Sequence, residues 1–192
     1  MDLSIPLRAF FNFACNFLVQ SQCIPKALMR GDILCQARSG MGKTCVFVIS
    51  VLQNIKHSDH VRFSPHTPHT QTTCIVFSHT REMAIQITRE FIRLGKYLPD
   101  IVIKTVFGGV PLRKSMADIK SGCDILVGTA GRIADLVRHK ALDTSQLKFF
   151  VVDECDRQIE TLCFFFFRLA NAQRRAQISR KCSEARLWTS RC

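Results

Sequence analysis

The sequence contains few acidic residues and no long apolar run. Only 15 Asp and Glu residues stand against 27 Lys and Arg residues, which gives a formal net charge of +12. No stretch reaches the roughly 20 consecutive apolar residues that a membrane-spanning helix needs. We therefore expect no membrane partner. The excess of positive charge favours a polyanion as the binding partner.

Cysteines are numerous, but they lack the spacing of a metal or redox motif. The ten cysteines are scattered, and no C-x-x-C pair occurs among them. This pattern argues against a zinc site and favours a reducing compartment. Five cysteines lie in or beside apolar runs, where we expect small buried side chains. They are Cys15, Cys35, Cys45, Cys74 and Cys123.

A second group of possible metal ligands is a run of four histidines. Prolines, serine and threonines stand among them, a composition typical of a loop. We expect a loop here rather than a metal site. The four are His57, His60, His66 and His69.

Residues 37–44 have the sequence Ala-Arg-Ser-Gly-Met-Gly-Lys-Thr, between the apolar runs 32–36 and 45–52. This order predicts a buried strand, a phosphate-binding loop and a buried helix. The two glycines leave bare backbone N–H groups to cradle phosphates. Lys43 would reach the β- and γ-phosphates, and Thr44 would place a hydroxyl on Mg²⁺. The general pattern begins with Gly, whereas this loop begins with Ala.

An acidic quartet, Asp153-Glu154-Cys155-Asp156, follows the apolar run 149–152. In an open α/β sheet, ligands bind beyond the carboxyl ends of the strands, where both the loop and these acids fall. Asp153 can hold Mg²⁺ through water, and Glu154 can orient or activate an attacking water. The alternative is that the acids cap a helix. The upstream phosphate loop favours the catalytic interpretation.

Several motifs in the same order resemble the N-terminal RecA-like lobe of a DEAD-box RNA helicase. Val19–Pro25 resembles the Q motif of that family, and His79–Ala84 resembles motif Ia, with Met for the usual Leu. Gly108-Gly109 matches the paired glycines, and 129–132 resembles motif Ib, with Ala for the usual Pro. Cysteine in the acidic quartet marks the D-E-C-D branch, whose members act in splicing and mRNA export in the nucleus.

The loop chemistry and the resemblance together name the candidate site residues. The catalytic residues are Lys43, Asp153 and Glu154. The nucleotide-binding residues are Gln20, which contacts adenine in the family, and Ala37, Ser39, Gly40, Met41, Gly42, Lys43 and Thr44. The magnesium ligands, largely through water, are Thr44 and Asp153. The RNA-binding residues are Thr80, Arg81, Gly108, Gly109, Thr129, Gly131 and Arg132.

The fold class implied is α/β: a P-loop NTPase RecA-like lobe, with a mainly parallel sheet and helices on both faces. We expect strands at residues 32–36, 73–78, 101–106, 124–128 and 149–153. The resemblance covers residues 12–160, after a divergent segment at 1–11. Residues 161–192 are expected to be a divergent basic tail, solvated and disordered, with the second RecA-like lobe absent.

The tail departs from the family in a way that bears on function. The Ser-Ala-Thr motif is absent, and Leu187-Trp188-Thr189-Ser190 has little β pattern around it. Three interpretations stay open. The first is an ATP-dependent RNA helicase reduced to its first lobe, with ATP and Mg²⁺ as cofactors and RNA and export or spliceosomal proteins as partners. The second is a non-catalytic ATP- or RNA-binding competitor. The third is a truncated product that lacks a sheet strand and does not fold.

Overall fold

The computed structural model describes residues 18–29, 31–38, 40–58, 72–96, 98, 101–145, 147–157 and 186–191. The expectations for the segment 1–11, Cys15, the histidine run beyond residue 58, Ser39 and the tail residues 161–185 lie outside these ranges. The helices are α1 (Leu18–Leu28), α2 (Lys43–Ser58), α3 (Arg81–Leu94), α4 (Leu112–Lys120) and α5 (Ala130–Arg138). The strands are β1 (Ile33–Gln36), β2 (Cys74–Ser78), β3 (Ile103–Val106), β4 (Ile125–Thr129), β5 (Phe149–Val152) and β6 (Arg186–Arg191).

The strands form a single sheet in which every described pairing is parallel. The strand order is β1-β6-β5-β2-β4-β3. The five strands expected from the sequence are present, each within two residues of its expected bounds. Continuous apolar runs form these strands because helices cover a parallel sheet on both faces.

Alternate residues of each central strand supply two separate cores. In β2, Val76 belongs to a cluster with Phe47 of α2 and Phe91 of α3. Its neighbour Phe77 belongs to a second cluster with Ile133 of α5. Helices α1 to α3 therefore pack on one face of the sheet, and α4 and α5 pack on the other. This arrangement confirms the expected fold class. None of the described helices is both long and apolar enough to cross a bilayer.

The expectation that residues 187–190 would contribute no strand is wrong. They lie in β6, which is parallel to β1 on one side and to β5 on the other. Trp188 is in register with Ile33 and with Val151. Because β6 has a neighbour on both sides, its backbone groups can enter two ladders. Tertiary pairing thus overrides a local sequence with weak β patterning. The sheet of this chain has no gap between β1 and β5.

Candidate functional site

The phosphate loop and the acidic quartet lie at the same edge of the sheet. The loop follows β1 and the quartet follows β5, and these two strands flank β6 with all three parallel. Their carboxyl ends therefore point in one direction. Ligands of open α/β folds bind outside this edge.

The loop adopts the backbone conformation expected from its glycines. Gly40 has φ +81° and Gly42 has φ +75°, values that favour glycine. Helix α2 begins at Lys43, whose side chain is buried. The Lys43 ammonium donates to the carbonyl oxygens of Ala37 and Arg38, the latter at 3.1 Å. The side chain therefore curls back over the loop, with its charge held against backbone oxygens.

Gln20 of α1 reaches the loop from a different part of the chain. It is 3% exposed, and its Nε2 donates to the Gly42 carbonyl at 3.4 Å. Its Oε1 is buried, and no hydrogen-bond partner for it occurs in the described part of the chain. A Cβ built on Gly42 would lie 2.3 Å from Gln20 Nε2, so no larger residue fits there without a shift. A buried acceptor left unpaired costs about 1–3 kcal/mol, which a donor from a bound ligand can recover.

The acidic residues stand on a sharp turn after β5. Asp153 is 3% exposed, and its backbone N–H donates to the Phe77 carbonyl at 3.1 Å. Glu154 has φ +52°, an unusual conformation for a residue with a side chain. A three-residue 3₁₀ turn, Cys155–Arg157, follows directly. The turn thus places two consecutive acidic residues at the carboxyl edge of the sheet.

His79 is a neighbour of the acids that the sequence analysis missed. Its Nδ1 lies 3.0 Å from Glu154 Oε2, and Arg157 Nε lies 3.7 Å from the same oxygen. Both His79 and Glu154 are largely shielded from solvent. The sequence held one signal for this contact, because His79 directly follows the run that forms β2, and β2 pairs with β5. Identifying the contact needed that pairing to be known.

The first group of RNA candidates meets at the turn after β3. Thr80 caps α3, its hydroxyl accepting from the Met83 N–H at 3.2 Å. The Arg81 guanidinium lies against Gly108 and Gly109. Gly109 has φ +89°, and a Cβ there would lie 2.5 Å from Arg81 Nη1. The glycine pair therefore makes room for an arginine at the N-terminus of a helix.

The second group lies at the start of α5, next to the first. Thr129, at the end of β4, is in register with Ser78 at the end of β2. A Cβ on Gly131 would meet open space. Arg132 Nη1 donates to Ser115 Oγ at 3.0 Å, and its Nη2 donates to the Val110 carbonyl at 2.5 Å. Ser115, another residue that sequence reasoning missed, helps to fix the arginine.

Metal ligands of the zinc type do not cluster in the described part of the chain. Among the described residues, no three His, Cys, Asp or Glu side chains form a group able to hold a metal ion. The oxygen donors near the phosphate loop suit a different ion, since Mg²⁺ takes one or two protein ligands and keeps several waters. The Thr44 hydroxyl and the Asp153 carboxylate fit that requirement.

Comparison with known proteins agrees with this geometry. The family model "DEAD/DEAH box helicase" matches residues 17–178. The chain is 47% identical over 145 residues to ATP-dependent RNA helicase WM6 of Drosophila melanogaster. It is 43% identical over 145 residues to ATP-dependent RNA helicase DDX39A of Homo sapiens. Each alignment covers 75% of this chain and 32% of the relative, so the chain spans about a third of their length.

Solved structures show the same fold. The yeast DEAD-box splicing factor Prp28 superposes with a TM-score of 0.75 at 25% identity, covering 96% of this chain and 43% of Prp28. A DEAD box protein from the hyperthermophile Methanococcus jannaschii superposes with a TM-score of 0.73 at 26% identity, covering 100% and 48%. The family match extends over most of the chain and includes the loop and the acidic turn. This chain belongs to the DEAD/DEAH box helicase family.

Proposed function

We propose that this chain binds MgATP at the loop 37–44 and RNA at the adjoining turns, as the first RecA-like lobe of an ATP-dependent RNA helicase. One observation carries the proposal. Gln20, the phosphate loop and the acids Asp153 and Glu154 come from distant parts of the sequence and meet at one edge of a parallel sheet. A structural role alone does not require this combination.

The chain's own groups suit the parts of the nucleotide. The buried Oε1 of Gln20 is an acceptor that the amino group of adenine can satisfy. The Lys43 ammonium can exchange its bonds to loop carbonyls for stronger bonds to phosphate oxygens. In this proposal Thr44 and Asp153 would hold Mg²⁺, which would neutralise charge on the phosphates when bound. Glu154 is the residue proposed to orient water for hydrolysis.

RNA is the second proposed ligand. Helices α3 and α5 both begin at the carboxyl edge of the sheet, after the neighbouring strands β2 and β4. Backbone N–H groups at helix N-termini bind phosphates, and Arg81 adds a charge at the same place. Such contacts go to the RNA backbone and carry little base information. We therefore propose binding to single-stranded RNA without sequence preference.

The biological setting is proposed from the relatives. WM6 and DDX39A are described as ATP-dependent RNA helicases, and Prp28 as a splicing factor. Together with the D-E-C-D quartet, they support a role in mRNA splicing and export in the nucleus. Partners among the spliceosomal or export proteins belong to the same proposal.

Thermal unfolding of the purified chain with and without MgATP tests the nucleotide proposal. A ligand at 100 times its Kd stabilises the native state by about 2.7 kcal/mol, which raises the unfolding midpoint by several degrees. We expect this shift in the parent chain and its loss in Lys43→Ala. The matched control is Lys114→Ala, an exposed lysine on the other face of the sheet. No shift in the parent at saturating MgATP would overturn the proposal.

RNA binding is measured separately, by fluorescence anisotropy with a labelled poly(U) oligonucleotide. We expect Arg81→Gln to weaken binding and to lower the salt dependence by about one phosphate contact. Arg93→Gln is the control, because Arg93 is an exposed residue paired with Glu90 at 2.6 Å. Equal effects of the two substitutions would contradict the proposed RNA surface. ATP binding without RNA-stimulated turnover would favour the non-catalytic binding module over the helicase.

A further inference from the structure

Two cysteines lie in contact next to the candidate nucleotide site. The Sγ atoms of Cys23 and Cys35 are 3.6 Å apart. Cys23 lies on α1 and Cys35 lies on β1, the strand that leads into the phosphate loop. A disulfide bond is about 2.05 Å long, so the sulfurs need to approach by about 1.5 Å. Side-chain rotation and a small shift of α1 can supply this movement.

The two thiols differ in access to solvent. Cys35 is 3% exposed, whereas Cys23 is only half-buried. Burial, together with the neighbouring Cys23, raises the pKa of Cys35 to about 11. The thiolate is the reactive species, so Cys35 is a poor first nucleophile. An oxidant in solution therefore meets Cys23 first, with Cys35 behind it.

We propose that Cys23 and Cys35 form a dithiol site that low-molecular-weight disulfides such as oxidised glutathione convert to an intramolecular disulfide. The Cys23 thiolate attacks one sulfur of oxidised glutathione, forming a mixed disulfide and releasing one glutathione thiolate. Cys35 loses its proton to solvent and attacks the Cys23 sulfur, releasing the second glutathione. The two cysteines lose two protons and two electrons, and oxidised glutathione is reduced to two glutathione molecules.

The position of the bond gives it a consequence for the nucleotide site. Gln20 stands one helical turn before Cys23, on the same face of α1. Drawing α1 toward β1 moves Gln20 relative to Gly42, and their hydrogen bond is already long at 3.4 Å. The disulfide therefore disturbs the contact between the adenine-side helix and the phosphate loop.

Peptide mapping of the full chain tests the site without any nucleotide. The folded chain is treated with oxidised glutathione, its free thiols are alkylated to stop disulfide exchange, and it is digested with trypsin. Cleavage after Arg8, Lys26, Arg30 and Arg38 places Cys23 in peptide 9–26 and Cys35 in peptide 31–38. We expect these two peptides to be joined by a disulfide that dithiothreitol removes.

Peptide 9–26 also contains Cys15, which provides a matched control. The joined peptides should form in Cys15→Ser and should be absent in Cys23→Ser. A mixed disulfide at Cys23 without the cross-link would overturn the proposal, as would a cross-link that survives in Cys23→Ser. Fragmentation of the joined peptides in a mass spectrometer distinguishes Cys23 from Cys15 in the parent chain, so the test stands even if a variant fails to fold.

A second measurement rests on the proposed nucleotide binding and is separable from the first. Loss of one hydrogen bond corresponds to a two- to tenfold change in affinity, roughly. We expect the oxidised parent to bind a fluorescent ATP analogue weaker by about this factor, with recovery in dithiothreitol. A mapped cross-link with unchanged affinity would refute the effect on the nucleotide site. Absence of nucleotide binding in both forms would count against the proposed function alone.

Discussion

The contact between Gln20 and Gly42 makes a measurable prediction about two glycines of one loop. Gly40 and Gly42 have nearly the same positive φ, +81° and +75°. A Cβ on Gly40 meets nothing within 4 Å, whereas one on Gly42 would lie 2.3 Å from Gln20 Nε2. The two Gly→Ala substitutions therefore share one conformational cost, and only one of them adds a steric cost.

The expected magnitudes follow from these two terms. Alanine in the left-handed region costs about 1–2 kcal/mol, which is the whole effect predicted for Gly40→Ala. Gly42→Ala should cost a further 1–3 kcal/mol, roughly, because Gln20 must leave its rotamer and lose its bond to the loop. In a Gln20→Ala background, no Gln20 side chain is left to clash with a Cβ on residue 42. There, Gly42→Ala should cost no more than Gly40→Ala.

Urea denaturation in the absence of nucleotide measures these free energies of unfolding. The circular dichroism of the helices and the sheet follows the transition. The double-mutant cycle of Gln20→Ala and Gly42→Ala should give a coupling energy of about 1–3 kcal/mol. Equal destabilisation by Gly40→Ala and Gly42→Ala, or a coupling energy near zero, would refute the reasoning.

Three further predictions concern stability. Gly109→Ala should destabilise the fold by about 1–2 kcal/mol, because φ is +89° at Gly109, while the exposed end of Arg81 can move away from the new methyl group. Gly108→Ala should change the free energy of unfolding by less than about 0.5 kcal/mol in the same urea assay, and equal costs would contradict the prediction. Trp188→Pro should lower the free energy of unfolding by at least about 2 kcal/mol, because proline removes a backbone donor from an interior strand. Arg186→Pro, at the first residue of β6, should cost less, and equal costs would contradict the strand pairing. Because the pKa of Cys35 is raised to about 11, the folded state holds the thiol proton more tightly than the unfolded state does. The stability that this proton contributes is present below about pH 9 and is lost by about pH 11. Cys35→Ala should therefore flatten the fall in the free energy of unfolding between these pH values in urea denaturation, and an unchanged slope would contradict the prediction.

Much of the fold was predictable from the sequence because of how a parallel sheet is built. The run Phe149–Val152 is apolar throughout, as expected for a strand covered on both faces, and all four residues are buried. The expectation that a covered strand is apolar throughout does not identify β6, which has arginine at both ends and polar Thr189 and Ser190 between them. Its strand forms because β1 and β5 lie on either side of it, and no local pattern contains that information.

The site was predictable to a similar extent. The phosphate loop and Asp153 lie at the expected edge because their places follow from local motifs and from strand direction. The contacts of Gln20 with Gly42 and of His79 with Glu154 were not predictable, since each joins segments that meet only through packing. The Cys23–Cys35 pair was missed for the same reason, because the spacing of these cysteines matches no motif.

The position of β6 sets the order in which this sheet can be completed. Residue 33 pairs with residue 188, although most of the described chain lies between them. During translation, β1 leaves the ribosome early but cannot join its neighbour until residues 186–191 have been synthesised. Until then, β1 and β5 expose unpaired edges, which other chains can occupy. We therefore expect folding to be slower than that of a chain of this size whose strands pair locally.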